Sequence, residues 1–153
     1  MKLTKYSHRN GDKTIPDYIL YPIFFDLQKI SFSNRRSGTR AFRKDVSEIL
    51  LSHGWSKPVR VSADSQITIT SVCKKIGLCF QFGNMARLYA DMLKLQLMYQ
   101  KGNISAAIYL VPTKDYAETL GSNLANFERF TSELKIFGQI INVPLIVIGI
   151  QGE

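Results

Sequence analysis

A chain of 153 residues, 45% hydrophobic, suits one domain with a real core and leaves little room for a second. No stretch is both long and apolar enough to span a membrane, since the best, Val143 to Ile150, is only strand-length, and the basic start from Met1 to Lys5 leads into no signal-peptide core. A soluble, cytoplasmic protein is expected, and its formal charge of +8 points to an anionic partner.

Lys2, Lys5, Arg9 and Lys13 carry charge at the front of the chain. Pro16 and Pro22 then interrupt an apolar, aromatic stretch from Tyr18 to Phe32 that is compatible with a short helix packed on the core. Next comes a basic cluster, Arg35, Arg36, Arg40, Arg43 and Lys44, whose first part reads Ser-Asn-Arg-Arg-Ser-Gly-Thr-Arg. Arginines set among small hydrogen-bonding residues have the composition of a phosphate-contacting loop, and nucleic acid is the partner this implies. The plainer alternative is a solvated surface charge.

Phe42, Val46, Ile49 and Leu50 recur at helical spacing and Gly54 stops the run, which predicts a helix from about 39 to 53. Pro58 to Val61 and Gln66 to Val72 read as strands around a turn at Ala63 to Ser65, and Lys75 to Phe82 reads as a third. Cys73 and Cys79 fall on what reads as one strand, six positions apart. At about 3.3 Å per residue that is roughly 20 Å, too far for a bridge. Neither a disulfide nor a structural zinc site is expected, as suits a reducing compartment. Gly83 and Asn84 open a helix with Met85, Leu88, Met92, Leu95 and Tyr99 on one face, ending near Gly102. Ile104 to Val111 is a buried strand stopped by Pro112, residues 114 to 137 are mostly helical with a break near Gly121, and Val143 to Ile150 closes the sheet. With no repeat or linker to divide it, the chain is expected to be a single α/β domain over 1–153, with a central mixed five-stranded sheet flanked by helices.

Four segments carry a resemblance. They are Tyr6-Ser7-His8-Arg9-Asn10-Gly11, the His53-Gly54-Trp55 step after the first core helix, Gln81-Phe82-Gly83 followed by Ala86, Asp91 and Val111-Pro112, and the closing strand Val143-Pro144-Leu145-Ile146-Val147-Ile148-Gly149-Ile150. In this order they resemble the BglII and BstYI family of type II restriction endonucleases, over most of the chain, although this one is shorter between residues 12 and 40. The resemblance implies a restriction-endonuclease-like core, hydrolysis of DNA phosphodiesters with magnesium in active members, and a homodimer.

In that family an aspartate on one strand, an acid with a second acid or amide two residues on, and often a helical glutamate hold the metal. Carried over, the amide matches Gln81 and the glutamate Glu48, so Glu48 and Gln81 are the candidate magnesium ligands. The aspartate position falls on Thr70 and the strand acid on Cys79. Lys75, beside Lys74, is the candidate for the fold's usual lysine, and Asn84 and Arg87 join the basic cluster as candidate DNA contacts. Thr70 and Cys79 are a departure, because magnesium prefers hard oxygen ligands in octahedral array and a neutral thiol substitutes poorly. Two functions follow: a magnesium-dependent endonuclease whose acids have moved to Glu48, Asp64 or Asp91, or a catalytically silent relative that binds DNA or a protein. Plainer roles stand beside these. Cys79 reads as a core cysteine, Asp91 as a partner for Arg87 one turn earlier, His8 as a surface residue, and the helix around Asn123 to Glu133 as structural.

Overall fold

The computed structural model describes residues 1–31 and 38–152. Arg35 and Arg36 lie outside the described residues. The elements are β1 (Lys2–His8), α1 (Gly11–Thr14), α2 (Asp17–Lys29), α3 (Gly38–Ser52), β2 (Val59–Arg60), β3 (Thr68–Ile69), β4 (Ser71–Cys73), β5 (Ile76–Phe80), α4 (Met85–Gln100), β6 (Ala106–Pro112), α5 (Lys114–Leu120), α6 (Phe127–Ile136) and β7 (Leu145–Gln151). Five strands form one mixed sheet in the order β1-β7-β6-β5-β4, with β5, β6 and β7 parallel and both edge strands antiparallel. The expected α/β architecture is the one observed.

Period-two alternation along the three parallel strands makes two cores. Ile76, Leu78, Phe80, Ile108, Leu110 and Ile148 point to the face covered by α2 and α3. Cys79, Tyr109, Val111, Leu145 and Val147 point to the other, beneath α4 and α6. Strands covered on both faces read as continuous apolar runs, which is why β5, β6 and β7 are evident in the sequence. No helix among the described residues is long and apolar enough to cross a membrane.

The structure corrects several expectations. β1 was not expected: it pairs with β7 along its whole length, from Lys2 opposite Gln151 to His8 opposite Leu145. His8 is therefore buried rather than on the surface, and its Nε2 donates to the Ile141 carbonyl at 2.6 Å. Gly11 follows because any Cβ there would collide with the Leu145 backbone. The aromatic stretch becomes the thirteen-residue α2 with Pro22 inside it. A proline there removes the hydrogen bond to the carbonyl four residues back, that of Tyr18, on the exposed side of the helix where water replaces the lost donor.

The strand expected over 66 to 72 is two strands. Thr68–Ile69 pairs with Val59–Arg60 in a separate ribbon, and Ser71–Cys73 pairs with β5, so that Thr70 stands at the switch between them. Lys74 and Lys75 are not on a strand. With φ of 45° and 65° they form the two-residue turn of the β4–β5 hairpin, the left-handed geometry that matches the twist of the flanking strands. Cys73 and Cys79 consequently lie on adjacent strands and pack against opposite faces of the sheet, both as free thiols.

Candidate functional site

The C-terminal ends of the parallel strands meet the opening of α4. Cys79 and Tyr109 are register partners on β5 and β6, and both face α4. Gln81, two residues beyond Cys79, continues that strand, its amide N–H donating to the Leu110 carbonyl at 3.1 Å. The chain turns through Phe82 and Gly83 into α4, whose N-cap Asn84 accepts from the Arg87 N–H at 3.1 Å. Asn84 thus has a structural task at the helix start, and the Arg87 side chain is exposed just beyond it.

Asp91 is the centre of this end of the molecule. It is 8% exposed, on the inner face of α4 beside Leu88, Met92 and Leu95. Its Oδ2 accepts from the Tyr109 hydroxyl at 3.0 Å and from Gln81 Nε2 at 3.3 Å, while its Oδ1 accepts from Lys94 Nζ at 3.0 Å. Gln81 is engaged at both ends, because its Oε1 accepts from the Gly83 N–H at 2.9 Å. The expected Asp91–Arg87 pair does not form among the described ion pairs; the partner is Lys94, three residues on. A buried carboxylate with three donors is a satisfied group, so the cluster ties β5, β6 and α4 together.

Thr70 and Cys79 are brought together. The Thr70 amide and hydroxyl lie beside the thiol and favour its ionised form, but burial and then the charge of Asp91 dominate and push Cys79 up to about 12. Tyr109 is likewise raised well above its ordinary value, by burial and by Asp91. Neither group ionises near neutral pH. A thiol held in this state is no nucleophile. Iodoacetamide at pH 8 is therefore expected to modify the half-buried Cys73 of the native protein and to reach Cys79 only after unfolding. Peptide mapping that finds native Cys79 modified as fast as Cys73 would contradict that assignment.

The remaining candidates are spread out. Glu48 is exposed on α3, its carboxylate 3.7 Å from Lys44 Nζ. Lys75 is at the opposite end of β5 from Gln81, roughly 20 Å away over six residue steps, and donates to the Gly102 carbonyl at 3.3 Å. Arg40, Arg43 and Lys44 are exposed on α3, and the Arg43 guanidinium lies 5.0 Å from the Phe80 ring centroid. That contact brings the α3 cluster to the same sheet end as Gln81.

The donor set does not fit magnesium. Around the Thr70–Cys79 pair stand a hydroxyl, a neutral thiol, an amide already bonded at both ends and a carboxylate already bonded to an ammonium group. Among the described residues, no three His, Cys, Asp or Glu side chains are placed to share an ion. Glu48 and Gln81 are not brought together as a pair by any described contact.

The family model "Restriction endonuclease BglII/BglIII" matches residues 4–150. The chain belongs to the BglII/BglIII restriction endonuclease family. Solved structures of BglII share the fold. The complex with a DNA 16-mer superposes with a TM-score of 0.87 at 13% identity over 100% of this chain and 78% of that one. Free BglII gives 0.78 at 15% identity, over 100% and 81%. The type II restriction enzyme BamHI of Bacillus amyloliquefaciens is 34% identical over 84 residues, a match spanning 54% of this chain and 38% of BamHI.

Proposed function

We propose that this family member binds double-stranded DNA with the α3 cluster and the start of α4, and that it hydrolyses DNA slowly or not at all. One observation carries the second half: at the strand end, the only buried carboxylate among the described residues is already engaged by Tyr109, Gln81 and Lys94. Activation of water by magnesium needs carboxylates free to hold the ion, and Thr70 and Cys79 supply none. Binding makes no such demand. Arg40, Arg43 and Lys44 present exposed cations beside the strand end, and Arg35 and Arg36 precede them in sequence.

Affinity for a duplex should fall steeply with salt, because each neutralised phosphate releases counterions. The triple variant Arg40→Ala, Arg43→Ala, Lys44→Ala is expected to bind more weakly. It should also flatten the plot of log affinity against log salt by about 2.7 units if all three residues contact phosphate. Fluorescence anisotropy showing wild-type affinity and slope for the variant would leave the cluster as solvated charge.

A homodimer belongs to the same proposal, since a two-fold protein matches a palindromic site. An apolar face supports it. Leu93 and Leu97 on α4, Ile136 at the end of α6, and Phe137 and Ile140 beyond it are exposed, and Leu93, Phe137 and Ile140 line a hollow of about 280 Å³ with Tyr89 and Met92. A patch of this kind is costly to leave in water and can be self-complementary across a two-fold axis. Leu93→Asp with Ile140→Asp is expected to give a monomer by light scattering where the unmodified chain is a dimer. An unmodified chain that stays monomeric at high concentration, with and without DNA, would overturn this part. A cytoplasmic, reducing setting suits the two free thiols.

A further inference from the structure

The outward ridge of α2 lies outside everything described so far. Tyr18, Tyr21 and Phe25 fall within one narrow arc of that helix and are 64%, 38% and 57% exposed. A monomer with an apolar core need not display three aromatic rings in a row. Cations from both edges of the sheet lie over two of them. Lys74, in the β4–β5 turn, holds its ammonium 4.9 Å from the Tyr18 ring centroid, and Lys5, on the opposite edge strand β1, holds its own 5.0 Å from Tyr21. Tyr21 and Phe25 are neighbours, with centroids 6.0 Å apart and planes inclined by 30°. A further hollow of about 110 Å³ opens beside Tyr18, lined by Pro22, His53, Trp55 and Lys74.

We propose that this ridge binds single-stranded DNA, with bases stacked on the three rings and Lys5 and Lys74 on the phosphates. From Tyr18 to Phe25 the helix rises about 10 Å, roughly three base steps at 3.4 Å each. Aromatic faces flanked by ammonium groups suit a ligand that is at once planar, apolar on its faces and anionic on its backbone. A duplex presents the second property but hides the first, because its base faces are already stacked. The ridge therefore discriminates by exposure of bases rather than by sequence. Of the acids near it, Asp26 is engaged by Lys29 and by His53, each at 2.7 Å, while Asp12 and Asp17 line one hollow with Lys5 and Tyr21, so that Lys5 faces carboxylates as well as phosphate. Asp17, at the N-terminus of the helix, lies one residue before the stripe.

The test compares a fluorescein-labelled twelve-residue oligothymidylate with a duplex of equal length, by anisotropy at low salt. The variants are Tyr18→Ala with Phe25→Ala, and separately Lys5→Gln with Lys74→Gln, each checked for an unchanged melting temperature. Loss of two stacking rings should weaken oligothymidylate binding at least tenfold and change duplex binding less than twofold. The lysine pair should reduce the salt slope for oligothymidylate by about 1.4 units. Should the α3 proposal fail, duplex affinity would be absent while oligothymidylate binding persisted, so the two ideas fail separately. The ridge proposal is overturned if oligothymidylate does not bind or if the aromatic variant binds it as well as the unmodified chain. It is equally overturned if both ligands weaken alike, or if the variant changes only the oligomeric state, which would make the ridge a protein interface.

Discussion

Asp91→Ala is expected to lower the melting temperature by roughly 6–12 °C. Removing the carboxylate strands two donors at once, the Tyr109 hydroxyl in the core and the Lys94 ammonium at its margin, and frees one end of Gln81. Breaking a buried pair from one side typically costs about 3 kcal/mol or more, because the partner's charge stays desolvated. For a domain of this size each kcal/mol shifts the midpoint by about 2–4 °C. Asp91→Asn, which still accepts from Tyr109 but no longer balances Lys94, should lie between. Thermal unfolding followed by circular dichroism measures both. An Asp91→Ala variant within 2 °C of the unmodified chain would show that the cluster is ornamental to stability.

The second large effect concerns the two acid positions. Thr70→Asp with Cys79→Glu places two carboxylates side by side near Asp91, in a pocket that already pushes the Cys79 thiol up to about 12. Without metal, burial and mutual repulsion oppose their ionisation, so the variant should be less stable than the parent in EDTA at pH 8. As acids with raised pKa values, the new groups carry a penalty that appears as pH rises above the ordinary carboxylate range and is relieved as pH falls. Magnesium should relieve it as well. A ligand at one hundred times its dissociation constant stabilises the folded state by about 2.7 kcal/mol, which a melting curve reads as several degrees. The unmodified chain should show no such rise, and equal magnesium responses in the two proteins would sink the idea that Thr70 and Cys79 stand in the metal-holding positions.

What could be read in advance was set by burial and by range of contact. The strands β5, β6 and β7 are covered on both faces and α4 has a long apolar period, so composition and spacing specify them. β1 is an edge strand of lysines and half-buried residues whose identity depends on β7, more than a hundred residues away, and it carries no local signal. The turn at Lys74 and Lys75 lacks the glycine or asparagine that announces left-handed backbone. Asp91 was visible as a residue but not as a centre. Spacing along a helix suggests Arg87 or Lys94 equally well, and the hydroxyl that completes the cluster comes from another strand, at Tyr109. Its one readable sign is a carboxylate set among Leu88, Met92 and Leu95 on the buried side of α4. Gln81, Thr70 and Cys79 came from the ordered motifs rather than from periodicity, and the fold places them at one strand end. Glu48 and Lys75, taken from the same resemblance, fall elsewhere, on an exposed helix face and at the far end of β5.

In the function proposed above, this chain keeps the scaffold and a DNA-binding face without the carboxylates that activate water. Incubation of supercoiled plasmid with the unmodified protein and a large excess of magnesium tests it most directly. The plasmid is expected to remain supercoiled over hours while the protein retards it on a gel at low salt. Rapid magnesium-dependent cleavage abolished by Glu48→Gln would contradict it, and would show that the acids have moved rather than gone.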